Sequence, residues 1–107
     1  MEIERQQPTA REVIATVVDS FAEKGIPLPA RHKGILARHA KELLADGFDY
    51  ETVVIASVIA LRRGAPQHVD WIAADLVMAR GGQRMTQREY DKALQDEMEI
   101  RNREEQR

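Results

Sequence analysis

Histidines and serines are the side chains in this sequence that could bind a metal ion or act as a nucleophile or a general base. His32 and His39 are seven residues apart, so on a helix they lie about two turns, or roughly 10 Å, apart. Two histidines at this spacing do not chelate one ion, and no carboxylate cluster stands beside them to complete a site. No acid–base pair converges on Ser20 or Ser57. We therefore predict no catalytic residue, no metal site and no cofactor, and expect that the protein is not an enzyme.

Clustered cations suggest a second chemistry, which is contact with the phosphates of a nucleic acid. Arg31, Arg38 and Lys41 fall within a sector about 80° wide on one predicted helix, and Lys33 lies near the start of that helix. Such a patch would bind phosphates with a salt-dependent affinity, whereas the alternative is a set of solvated charges without a ligand. With two cations at the end of the following helix, the candidate nucleic-acid-binding residues are Arg31, Lys33, Arg38, Lys41, Arg62 and Arg63.

The same two predicted helices have the length of a helix-turn-helix motif, with Gly47 in the turn. A recognition helix presents polar side chains to the edges of the bases. The helix that follows Gly47 shows almost none before Arg62. We therefore predict a helical hairpin that packs for its own core rather than a reader of the DNA groove.

A third candidate is an apolar stripe on the predicted fourth helix, formed by Trp71, Ala74 and Met78. This stripe points nearly opposite to the core-facing side of the same helix. It is either covered by the fifth helix or the N-terminal arm, or it binds a partner, because Trp and Met are enriched in interfaces. The fifth helix adds apolar residues at i, i+4 and i+8. The candidate partner or dimer interface is therefore Trp71, Ala74, Met78, Tyr90, Leu94 and Met98.

The element that must position all of these residues is the apolar run Thr52–Leu61, with the sequence TVVIASVIAL. Branched residues favour strands, but the flanks favour a helix. Asp49 is a suitable N-cap, and Gly64 is a suitable residue to end the helix. At 100° per residue the apolar side chains point almost all round, as in a helix that is buried by its neighbours. The sequence therefore predicts a central helix over residues 50–63.

Capping residues and prolines elsewhere in the sequence predict further helices around this central helix. Thr9 with Glu12, and Thr86 with Glu89, have the spacing of capping boxes and open the first and fifth helices. Pro66 is predicted to open the fourth helix, which runs to about residue 80. The predicted fold class is all-α: a compact bundle of four to five helices around the central apolar helix, with a charged C-terminal helix extending from it. Residues 1–7 are expected to be a flexible arm, 8–98 a single helical domain, and 99–107 a charged, fraying helix end.

Composition narrows the class of protein. The chain has 107 residues, which predicts one domain, and a net charge of −2, so any nucleic-acid surface would be a local patch. The absence of cysteine excludes disulfides and thiolate metal sites and fits a reducing cytosol. No N-terminal apolar run resembles a signal peptide, and no run approaches the ~18 residues that span a membrane. We expect a cytoplasmic protein.

The order of features between residues 29 and 66 is a basic helix, the segment LLADGFD at residues 43–49, the apolar run, and Arg63-Gly64. This order resembles the small helical region that lies downstream of a winged-helix DNA-binding domain in certain actinobacterial phage and plasmid replication-type proteins. The upstream winged helix itself is absent, so DNA binding by that domain is not carried over. The resemblance implies a bacterial or phage cytosolic protein linked to DNA transactions.

Two functions follow from these observations. The first is a small interaction module in DNA replication or regulation, which binds a protein partner or forms a homodimer through the fourth and fifth helices. The alternative is direct DNA binding through the basic patch. Neither function involves a membrane or a small-molecule substrate.

Overall fold

The computed structural model describes the backbone of residues 8–105 and the side chains of residues 8–99. Within residues 8–105 there are α-helices and one 3-10 turn but no β-strand, which confirms the predicted all-α class. The flexible arm predicted at residues 1–7 lies outside the described residues. The helices are α1 (Ala10–Ala22), α2 (Ala30–Ala45), α3 (Tyr50–Arg62), α4 (Val69–Ala79) and α5 (Gln87–Glu105), with the 3-10 turn Pro66–His68 directly before α4.

The centre of the fold is α3, as the sequence predicts. Of its 13 residues, eight are buried, and these include Val53, Val54 and Val58, each with no exposed surface. The other four helices all pack against it, so its apolar side chains are covered on every side. Ser57, which is also fully buried, donates its hydroxyl proton to the Val53 carbonyl at 2.8 Å, so its own hydroxyl is satisfied within the helix.

Local sequence sets most helix ends. Thr9 caps α1 and exchanges bonds with Glu12, and the second predicted capping box forms at the start of α5. Gly64 has φ of 73°, the left-handed conformation that glycine adopts most easily, and it ends α3 as predicted. The start of α4 differs from the prediction, because Pro66 opens a 3-10 turn and the α-helix begins only at Val69.

Asp49 occupies the predicted N-cap position of α3, but its carboxylate does not cap the helix. It accepts hydrogen bonds from the Thr52 hydroxyl at 2.9 Å and from the Met85 N–H at 3.3 Å. Arg80 completes the cluster: its guanidinium lies 3.9 Å from Asp49, donates to the Thr52 hydroxyl at 2.7 Å, and donates to the Gln83 carbonyl at 3.0 Å. This network ties the start of α3 to the connection between α4 and α5.

Helix α5 uses its apolar side to bind α3. Tyr90 and Met98 are only 9% and 5% exposed, and Leu94 is partly buried against the same core. Arg62 at the end of α3 forms an ion pair with Glu97 at 2.6 Å. The prediction that Tyr90 and Met98 contribute to a partner interface is therefore corrected, because α3 needs these side chains for its own cover.

The phenol of Tyr90 lies in a small cluster of hydroxyl groups between three helices. Its ring centroid is 6.4 Å from that of Tyr50, whose hydroxyl in turn bonds the Thr16 hydroxyl of α1. Burial is the largest cause that raises the pKa of Tyr90, and together with the neighbouring Tyr50, Glu51 and Asp91 it brings the pKa from 10.0 to about 12. The folded protein therefore favours the neutral phenol.

The two methionines of α4 and α5 provide a matched test of this packing. We expect Met98→Ala to lower the free energy of unfolding by about 2–5 kcal/mol, because it leaves a cavity between α5 and α3. Met78→Ala is the control: Met78 is 71% exposed, so the loss should stay within about 0.5 kcal/mol. Urea denaturation in dilute solution measures both. Equal losses in the two variants would show that Met98 does not anchor α5.

The raised pKa of Tyr90 predicts a loss of stability in alkali. Its contribution is fully present below the ordinary pKa of 10.0 and is lost as the pH rises through the folded value of about 12. Absorbance titration of the phenolates should show a late step near that pH while circular dichroism still reports helix. The step should vanish in Tyr90→Phe. A late step that survives this substitution would show that Tyr90 is not the group with the raised pKa.

Candidate interaction surfaces

The outer side of α4 carries an apolar surface that the fold does not use. Trp71 and Met78 are 69% and 71% exposed, and Ala74 is half-buried between them. The opposite side of α4, through Val69 and Ile72, is buried in the core and fixes the orientation of the helix. Because α5 packs on α3 instead, it does not cover this stripe. Within the described residues the stripe is exposed, while the N-terminal arm, the other predicted cover, lies outside them.

The indole of Trp71 is held by a neighbour that sequence reasoning missed. The His68 ring, in the 3-10 turn, stacks on it with centroids 5.2 Å apart and planes 13° apart. The Asp70 carboxylate accepts a hydrogen bond from the backbone N–H of Trp71 at 2.8 Å. We call His68, Trp71, Ala74 and Met78 the Trp71 face. A stacked ring loses less conformational freedom when a partner covers it, which favours binding.

Two carboxylates flank the Trp71 face. At 100° per residue, Trp71 and Met78 lie about 20° apart around the helix axis, while Asp70 and Asp75 fall on opposite sides of the line that joins them. Both carboxylates are exposed. The face is therefore an apolar strip between two negative charges. It suits a partner whose cations lie on both sides of an uncharged contact area.

The outer side of α2 carries the predicted basic patch, and three of its residues come together there. Arg31, Arg38 and Lys41 are exposed, while Leu36 and Leu43 face the core. Among the described residues, no carboxylate forms an ion pair with any of these three cations. We call Arg31, Gly34, Arg38 and Lys41 the basic face.

Gly34 lies within this face without a structural requirement for glycine. It sits inside α2, where glycine destabilises a helix by about 1 kcal/mol relative to alanine. Its φ is not positive, and a Cβ built on it would meet no atom within 4 Å. Glu42, also exposed, lies at the rim of the face beside Arg38. The basic face therefore has an open gap among three cations and one carboxylate.

The other predicted nucleic-acid-binding residues do not join the basic face. Lys33 is half-buried and lines a shallow groove between α1 and α2, together with Ile14 and Val18. Arg62 is engaged by Glu97. Arg63 is exposed at the end of α3. Arg31, Arg38 and Lys41 therefore share the outer side of α2, while Arg63 is exposed at the end of a different helix.

The histidines and serines do not form a chemical site in the described part of the chain. No group of three His, Cys, Asp or Glu residues there has the geometry to hold a metal ion. The Ser20 hydroxyl donates to the Thr16 carbonyl at 2.9 Å, as Ser57 does within α3. A cleft of about 500 Å³ beside the turn between α2 and α3 is lined by Phe48, Tyr50 and Arg84, without a paired acid and base.

Two further observations bear on what the surfaces can bind. Between residues 8 and 105, no helix has both the length and the hydropathy that crossing a membrane requires. Comparison of the chain with protein-family models, with curated proteins and with solved structures finds no match. The Trp71 face and the basic face are therefore the features of the protein that point to a function.

Proposed function

We propose that this protein is a non-enzymatic, cytoplasmic interaction module that binds a protein partner, or a second copy of itself, through the Trp71 face. The observation that carries the proposal is the exposure of Trp71 and Met78 on one side of a helix whose other side is fixed in the core. Tyr90 and Met98, which the sequence assigned to the same surface, belong to the core and are left out of the proposal.

Leaving a large aromatic side chain in water is unfavourable in free energy, so covering Trp71 would favour binding. Covering the exposed part of the Trp71 side chain would remove on the order of 150 Å² from water, which is worth about 4 kcal/mol. Tryptophan side chains at the centre of an interface often carry a large share of its binding energy. The stack on His68 supports the proposal because it holds the indole in one orientation before a partner arrives.

We place this interaction in a bacterial or phage DNA transaction, in replication or in regulation. Support for this placement comes from the order of features between residues 29 and 66, which resembles the helical region of winged-helix replication-type proteins. Such a role requires a small domain that links proteins, and the Trp71 face provides the surface for that link.

A second candidate function is direct DNA binding through the basic face. The observation in its favour is the exposure of Arg31, Arg38 and Lys41 on one side of α2. Three cations on one helix face can lie against successive phosphates of a duplex and bind without reading the bases.

Trp71 is the only tryptophan in the chain, so its fluorescence reports on the proposed surface directly. With a photo-reactive residue in place of Trp71, we expect a crosslinked protein adduct in cells of the source organism. The same residue placed at Arg88, which is exposed on α5, should give none. The purified partner should then shift the Trp71 emission to the blue, as burial of the indole requires. Equal crosslinking from both positions would argue against the Trp71 face.

The DNA-binding alternative predicts a titration result. A short duplex should bind at low salt, and log K should fall against log salt with a slope of about −2 to −3, as expected for three phosphate contacts. Arg31→Glu with Arg38→Glu should abolish binding. The control, Arg11→Glu with Arg88→Glu, changes the net charge equally at exposed sites on α1 and α5 and should bind normally. Equal losses of DNA affinity in the two double variants would show that net charge, and not contact with the basic face, governs binding.

A further inference from the structure

The two surfaces of this protein are complementary in charge. The Trp71 face is an apolar strip between Asp70 and Asp75, both of which are exposed. On the basic face, three cations and the carboxylate of Glu42 leave a local charge of +2, opposite to the −2 of the two aspartates. An interface that brought these faces together would pair opposite charges around a buried apolar centre, which is the usual arrangement of a specific interface.

The shapes are complementary as well. Gly34 leaves a gap between Arg31 and Arg38, and nothing within the protomer requires that gap. A side chain of another molecule that lies flat against the α2 backbone would require it, because a Cβ would then occupy the contact. The indole of Trp71 has the flat shape that fits such a gap.

The two faces lie on helices that contact each other. Helix α2 packs against both the 3-10 turn that contains His68 and α4 itself. A two-fold axis between the two faces would place each face against its complement on the second copy, so that both contacts form twice.

We propose that this protein forms a two-fold symmetric homodimer in which the Trp71 face of each protomer docks on the basic face of the other, with Trp71 lying over Gly34. The inference rests on the proposed function and names a second copy of this chain as the partner. It also assigns the cations of α2 to the dimer rather than to DNA. The chain supplies both halves of the interface, which is why we choose a second copy over a different protein.

Charge reversal on each face tests this arrangement. The first variant carries Asp70→Lys and Asp75→Lys, and the second carries Arg31→Glu and Arg38→Glu. By sedimentation, the wild type should be a dimer, and each variant alone should be a monomer at the same concentration, because like charges then meet at both contacts. An equimolar mixture should form the heterodimer, in which both contacts are again attractive. That recovery also shows that both variants are folded.

Three outcomes would overturn the inference. A wild type that stays monomeric at all concentrations removes the homodimer, while the crosslinking test decides separately whether the Trp71 face binds another protein. A second variant that dimerises like the wild type, with a monomeric first variant, would indicate that α4 packs on α4 of the partner. A mixture that stays monomeric although both variants keep their helical circular dichroism would exclude the pairing of these two faces.

Gly34 gives an independent test of the shape. Gly34→Leu fills the gap. Because a two-fold symmetric dimer contains the contact at Gly34 twice, the substitution disturbs both copies, and we expect the dimer dissociation constant to rise at least about tenfold. The protomer should keep its fold, because a Cβ at this position meets no atom within 4 Å. Ala22→Leu, a similar enlargement at an exposed position of α1, is the control and should dimerise normally. An unchanged dissociation constant in Gly34→Leu would overturn the placement of Trp71 over this residue.

Discussion

The fold depends on the burial of α3. A helix with valine, isoleucine and alanine on all sides is stable in water only when every side is covered, and α1, α2, α4 and α5 each supply part of that cover. Each surrounding helix must therefore turn its apolar side inward. What remains outside is the polar side of each helix, and the exposed Trp71 and Met78 on α4 are the exception to that rule.

The exposure of Trp71 and Met78 arises because α5 has few apolar side chains, and these pack in the core instead of covering α4. The sequence of α5 is mostly charged, and Tyr90, Met98 and part of Leu94 are committed to α3. The ion pair between Arg62 and Glu97 adds a specific contact along the same seam. In the described part of the chain no helix lies over the outer side of α4, so Trp71 and Met78 stay in water. The packing of α5 thus determines the exposure of α4.

The basic face and the Trp71 face are consequences of the same arrangement. Both lie on the outer sides of helices that contact each other, and the two faces carry charges of opposite sign. The two functions proposed for these faces would compete, since Arg31 and Arg38 would contact either a phosphate backbone or the aspartates of a second protomer. In either case the interior of the protein would act as a rigid support for the proposed surface.

The sequence by itself determined the elements whose signals are local. Both capping boxes join residues three apart, the glycine after α3 needs only its own φ, and the all-round apolar pattern of residues 52–61 identifies the buried helix. Only the tertiary structure decided the rest, because the contacts in question join residues far apart in the chain. Arg80 reaches Thr52 across 28 positions, and Arg62 reaches Glu97 across 35. Whether Trp71 is core or surface depends on where α5 docks, which no local pattern around Trp71 records.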